Sequence, residues 1–259
     1  MEADAIVVVK RLLSRWEPLL SEPLWYLTVA RDIDRLWKTI DAEPRPLQRA
    51  CKEMLYDFFE SHLARNDIAL ATRGPKMDAE RQPIDTVVIH HTGSSPGLRK
   101  ERLSAIELVR LYVPYFAHPK LGRDRHLRGG PIGSGHIRNG RQVFWPYHWV
   151  IRKDGTAERL LDDPEIGWHA GNWDVNCRSV AIALDNDYQF SSPPFIEIAT
   201  MAAIINRNYG NVPIRRVLGH REINPKTSCP SELFLNSADW IGWKSQLLQL
   251  LVARCERAA

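Results

Sequence analysis

No apolar stretch of this chain approaches the about 18 consecutive residues that a membrane helix needs, so no membrane span is expected. The start, Met1-Glu2-Ala3-Asp4, is acidic, and the apolar run Ala5-Ile6-Val7-Val8-Val9 is broken at once by Lys10 and Arg11. The basic-then-apolar pattern of a secretory signal is therefore missing. Synthesis in the cytoplasm is expected. Cysteine is scarce: Cys51, Cys177, Cys229 and Cys255 stand at wide, irregular intervals, which excludes a disulfide framework and leaves all but Cys229 as reduced thiols. Charge of one sign is also in short supply. A formal net charge of +4 and a pI near 8.9 suit contact with an anionic polymer but are too small to argue for nucleic acid. Internal repeats and low-complexity segments are absent. With 259 residues, 44% hydrophobic and 25% charged, the composition is that of an ordinary globular chain able to bury a core.

The most informative stretch is Gly219-His220-Arg221-Glu222-Ile223-Asn224-Pro225-Lys226-Thr227-Ser228-Cys229-Pro230, a loop-forming run that places a histidine and a cysteine nine residues apart. Both residue types ligate zinc, which takes three or four protein ligands and keeps an open position when it is catalytic. A third ligand is His90, at the end of Asp85-Thr86-Val87-Val88-Ile89-His90-His91-Thr92-Gly93-Ser94, where a β-branched apolar run reads as a buried strand with polar chemistry at its tip. His91, the next residue, points to the opposite face of such a strand and stays out of the ligand set.

Five blocks in one order extend this pattern: Val88-Ile89-His90-His91-Thr92-Gly93; Tyr147-His148-Trp149-Val150-Ile151 with Lys153-Asp154-Gly155; Trp168-His169-Ala170-Gly171-Asn172; Ser179 to Asn186; and Gly219-His220-Arg221 with Cys229-Pro230. Together they resemble the zinc N-acetylmuramoyl-L-alanine amidases of type 2, the family of bacteriophage lysozymes and peptidoglycan-recognition proteins. The resemblance covers roughly residues 83 to 253. It implies an α/β (α+β) fold, a central mixed sheet flanked by helices, with Zn2+ as cofactor and peptidoglycan or muropeptide as substrate.

Ahead of this region, residues 5–64 show apolar side chains at helical spacing, punctuated into about three helices by prolines at 18, 23, 44 and 46. These helices have two readings: a module that binds the cell wall or a protein partner, and a cap that buries its own apolar stripe. The expected organisation is a helical region and linker over residues 1–80 and a zinc amidase domain over 81–259. Within the latter, strands are expected at 84–90, 147–152, 156–161, 179–184 and 215–218, with Gly155 turning a hairpin. Helices are expected at 103–116, 194–207 and 238–252. A Gly-rich basic loop over 118–142, with six Lys or Arg against one Asp, reads as a lid, a binding loop or a solvated insertion.

Two imidazoles and a thiolate from His90, His220 and Cys229 leave a fourth tetrahedral position for water, whose pKa zinc lowers to ~7. The resemblance assigns Tyr147 to orienting that water or bonding the tetrahedral intermediate, and Thr227 or Lys226 to the oxyanion. It places Trp168, His169 and Asn172, with His91, along the substrate cleft. Ala183 stands where anhydro-muropeptide amidases carry a glutamate, and Cys229 where they carry Asp, which favours the branch that uses the tyrosine. Pro146 and Ser231 replace glycines common in the family. Two rival readings remain: a recognition module that binds muropeptide without cutting it, and a metal-free hydrolase with Cys229 as nucleophile and His220 as its base.

Overall fold

The computed structural model describes residues 2–118 and 129–255, with side chains over 5–118 and 129–253. Part of the basic loop expected at 118–142, glycine 122 included, and the side chain of Cys255 lie outside the described residues. The chain forms two compact units, Met1–Lys76 with Arg99–Phe144 and Met77–Leu98 with Trp145–Ala259.

In the first unit the prolines do mark the breaks: α1 spans Glu2–Trp16, α2 Trp25–Asp41 and α3 Arg45–Arg65. Asn66, in the left-handed region at φ 58, closes α3 by turning its N–H onto the carbonyls of His62 and Leu63. The aromatic residues of these helices build the unit's own core. Phe59 lies 6.3 Å from Trp16 and 5.8 Å from Trp25 between ring centroids, and buried Trp16 donates its indole N–H to Asp32 (2.8 Å).

A second helical segment completes that core. Residues 100–117 run as α4 (Lys100–Glu107), a π-helical stretch (Leu108–Tyr112) and α5 (Val113–Ala117), where one regular helix is expected. Pro114 has no N–H for the carbonyl of Arg110, and the hydrogen-bond ladder widens just before it. The π-helical stretch is where this shift is absorbed. α4 packs on α3 and α5 on α2; Arg102 pairs with Asp57 and Glu60, and Phe116 meets Tyr26 edge-on at 6.2 Å. Farther along, Asn139 (φ 52) and Gly140 (φ 74) turn a small hairpin of β2 (Ile137–Arg138) and β3 (Arg141–Gln142) within the Gly-rich loop.

The compact units thus divide the chain elsewhere than at residue 80, because the buried side of residues 99–144 (Leu103, Ile106, Val109, Tyr112 and Phe116 among it) belongs to the helical unit. A chain starting at Arg81 would strip α2 and α3 from α5 and α4 and expose large apolar side chains, each of which contributes about 1.5–3 kcal/mol when buried. It is expected to aggregate or to melt without a cooperative transition. A soluble truncated protein with a sharp thermal transition would contradict this.

The second unit holds a five-stranded sheet in the order β5-β4-β6-β1-β7, from β1 (Thr86–His91), β4 (Trp149–Ile151), β5 (Ala157–Arg159), β6 (Ser179–Leu184) and β7 (Val217–Gly219). β1 pairs in parallel with β6 and β7, β4 in parallel with β6, and β5 runs antiparallel to β4 through the turn at Gly155 (φ +84). The sheet is mixed, as expected. Val87 and Ile89 face a core that contains Ile198, Met201 and Ile205 of α7 (Phe195–Asn208) and Leu247 and Leu251 of α9 (Trp243–Cys255). Val88 lies on the other face with Ala170 and with Val175 of α6 (Trp173–Arg178), and Ile223 of α8 (His220–Ile223) packs beside them. Strand alternation then sends His90 to the face of Val88 and His91 to the face of Ile89.

Candidate functional site

Parallel pairing brings the ends of β1 and β7 together, with Ile89 opposite Gly219, so His90 and His220 emerge side by side with ring centroids 4.7 Å apart. The backbone at Gly219 runs so close to Phe234 that an added Cβ would lie 2.5 Å from its ring, which explains why a glycine precedes His220. The Cys229 loop is tied to the same place, since the N–H of Arg221 donates to the carbonyl of Cys229 at 2.7 Å. The guanidinium of Arg221 adds a bond to the carbonyl of Ser231 (2.9 Å). As a result one ligand atom from each of His90, His220 and Cys229 lies within 4.8 Å of the others. The sequence-derived triad is assembled.

The chemistry of these three groups fits a cation. His220 hydrogen-bonds the backbone of Ala170, while its buried Nε2 has no hydrogen-bond partner. A bare lone pair in a buried position costs about 1–3 kcal/mol unless something accepts it, and a metal ion does so. Cys229 Sγ stands 3.6 Å from Nδ1 of His90. Burial pushes the Cys229 thiol up to about 12, so without a cation about one part in 10⁵ is thiolate at neutral pH. His220 Nε2 makes no hydrogen bond to Cys229, so the His220 base of the metal-free reading is not in place; the thiol instead meets Nδ1 of His90. Burial, together with the neighbouring imidazoles, holds His90 and His169 well below the usual 6.5, so both rings are neutral and available as lone-pair donors.

The remaining predicted residues divide into those near the cluster of His90, His220 and Cys229 and those that pack around it. Tyr147 is half-buried with its ring centroid 5.1 Å from that of His90. It is carried just before β4 by a chain so tightly packed that a Cβ on Gly167 would meet the Pro146 carbonyl oxygen at 2.2 Å. Thr227 Oγ1 accepts from the N–H of Cys229 (3.1 Å), and Lys226 is exposed, its N–H on Asn224 Oδ1 (3.1 Å). His91 turns away from the cluster, where Nδ1 accepts from the N–H of Tyr188 (2.9 Å). Trp168 is buried edge-on against Trp173 at 5.8 Å, and exposed Asn172 caps α6 by accepting from the N–H of Val175 (3.2 Å). Neither Trp168 nor His169 offers an exposed ring. His169 is buried with both nitrogens on protein partners, Nδ1 on His90 Nε2 (3.0 Å) and Nε2 on Ser179 Oγ (3.1 Å).

Three further residues shape the site without having stood out in the sequence. Asn176 Oδ1 accepts from the N–H groups of His169 (3.3 Å) and Ala170 (2.8 Å), fixing the loop whose carbonyl meets His220. Asp185 takes N–H bonds from Gly97 (2.8 Å) and Leu98 (3.1 Å) and a charge-assisted bond from Arg152 (2.8 Å), anchoring the segment after β1. Ser179, the first residue of β6, carries the hydroxyl beneath His169. Ala183 lies opposite His90 in the β1–β6 register, so a small methyl group occupies the place noted above for a glutamate.

Residues 80–232 match the family described as N-acetylmuramoyl-L-alanine amidase. An endolysin of Enterobacteria phage K11 is 27% identical over 90 residues, which cover 33% of this chain and 58% of that relative. The chain therefore spans a little over half the length of this curated relative. Among solved structures, the endolysin LysCS from Clostridium intestinale URNW is 20% identical over 59% of this chain and 77% of its own, with a TM-score of 0.38. The Ph2119 endolysin of a Thermus scotoductus MAT2119 bacteriophage is 17% identical over 66% and 86%, with a TM-score of 0.41. The matched family span takes in more than half of the chain and contains His90, His220 and Cys229, and the protein belongs to the N-acetylmuramoyl-L-alanine amidase family.

Proposed function

We propose that this protein is a zinc-dependent amidase that hydrolyses the bond between the lactyl group of N-acetylmuramic acid and L-alanine of the stem peptide, in peptidoglycan or in muropeptides. The observation that carries the reading is the unpartnered, buried Nε2 of His220 beside Nδ1 of His90 and the thiol of Cys229. A module that only binds muropeptide has no use for three convergent metal donors. Zinc held by these residues supplies a Lewis acid that acidifies water and polarises the scissile carbonyl.

The chain's own groups do the rest. Tyr147, across from His90, hydrogen-bonds the attacking water and holds it toward the carbonyl carbon. Thr227 stabilises the oxyanion through its hydroxyl proton, since accepting from the Cys229 amide leaves that proton to donate; the ammonium of Lys226 is the alternative. As the tetrahedral carbon collapses, the C–N bond breaks, the L-alanine amine leaves with the proton given up by the attacking water, and the lactyl group remains on the sugar as a carboxylate.

Chelation followed by zinc readdition tests the reading: activity on muropeptide is expected to vanish with the metal and return with it, and chelator-resistant activity contradicts it. The pH dependence of zinc affinity is a second check. Cys229 must give up its proton on binding, whereas burial lowers the titration of His220 and holds that of His90 well down, so these rings give up fewer protons than free imidazoles would. Affinity should therefore rise roughly tenfold per pH unit between about pH 6 and 7, a slope of one proton. A slope near two in a competition titration means that the histidines titrate at their usual values.

A further inference from the structure

With neutral rings, the hydrogen bonds behind His90 have only one consistent direction. Ser179 Oγ lies 2.6 Å from the carbonyl oxygen of Val175, which can only accept, so the serine proton is committed there. The 3.1 Å contact between Ser179 Oγ and His169 Nε2 must then use an N–H of His169. In a neutral imidazole the other nitrogen is bare. His169 Nδ1 is therefore an acceptor, and the 3.0 Å contact to His90 Nε2 requires the proton on His90 Nε2. What is left on His90 is a bare Nδ1, the atom that stands 3.6 Å from Cys229 Sγ. The bonding runs from His90 through His169 and Ser179 to the backbone of α6, and the three side chains are buried.

We propose that His169, itself oriented by Ser179, is a positioning residue that fixes the tautomer and ring orientation of His90 and so presents Nδ1 to the metal. His169 then acts behind the metal centre and does not hold substrate. The inference rests on the metal-centre reading for its consequence, but the tautomer itself is a property of the chain alone. Partners of this kind contribute on the order of 10–100-fold to metal affinity.

The test uses the full-length protein in three forms, wild type, His169→Leu and His169→Asn. Leucine removes the acceptor, while the Oδ1 of asparagine can take the place of His169 Nδ1. Long-range proton–nitrogen NMR on the zinc-free wild type is expected to show His90 protonated on Nε2 alone. Zinc competition is expected to show affinity about 10–100-fold weaker in His169→Leu and within about threefold of wild type in His169→Asn. The leucine variant should also show a mixture of His90 tautomers, a signature that mere loosening of the fold does not produce. A proton on Nδ1 of His90 in the wild type overturns the proposal, as does wild-type zinc affinity in His169→Leu. If His169→Leu fails to fold, the wild-type NMR result still decides. Should the wild type bind no zinc while His90 carries its proton on Nε2, the relay stands and the metal-centre reading is what fails.

Discussion

Cys229→Ser is expected to lose both zinc and catalysis. The substitution keeps the size of the side chain and the backbone bonds that place the loop, among them Arg221 N–H to the Cys229 carbonyl and Cys229 N–H to Thr227. It exchanges a thiol that a cation converts to thiolate for a hydroxyl that stays protonated at neutral pH. Dividing the binding energy of a protein zinc site among its ligands gives about 3 kcal/mol for one, so affinity should fall by about two orders of magnitude or more. Activity should fall in parallel and recover in part when zinc is raised. Metal content after dialysis against a chelator, measured beside the rate, separates this from a nucleophilic cysteine, for which the serine variant would be inactive with no change in metal content. A variant with full zinc and full activity would remove Cys229 from the site.

Tyr147→Phe should break the link between metal and rate. The ring is retained against His90, and His90, His220 and Cys229 are untouched, so one zinc per chain should remain. Only the phenol oxygen is lost. If that oxygen orients the attacking water or bonds the tetrahedral intermediate, kcat should fall by roughly two to three orders of magnitude. KM for muropeptide should stay near the wild-type value, because the missing interaction belongs to the transition state. Wild-type turnover in this variant would make Tyr147 a packing residue and pass its role to Lys226 or Thr227.

These two expectations rest on features that are legible in the chain at very different depths. The candidate metal donors are readable locally: His90 ends a β-branched run, and His220 and Cys229 stand nine residues apart in a loop-forming run, so spacing alone suggests a clip. Parallel pairing of β1 with β7 then brings both halves together. His169 is different, because its partner His90 is 79 residues away and nothing in Trp168-His169-Ala170-Gly171-Asn172 says which way the ring turns. A buried ring wedged between His90 and Ser179 and an exposed ring lining a cleft have the same local sequence.

The same limit applies to the helical segment at 100–117. Its apolar spacing announces one buried side but does not say which unit buries it, and contact with α2 and α3 decides the matter. Pro114 marks the π-helical distortion and Asn139-Gly140 the small hairpin, both through backbone chemistry written in the residue types. Boundaries between units follow from which apolar faces meet, and that is information the order of elements along the chain does not contain.

The most direct test of the proposed activity is mass spectrometry of peptidoglycan or purified muropeptide digested by the zinc-loaded protein. The account predicts free stem peptides that begin at L-alanine, together with glycan in which the lactyl group ends in a carboxylic acid. Cut glycan strands or cut cross-bridges, with the bond between the lactyl group and L-alanine intact, would contradict it.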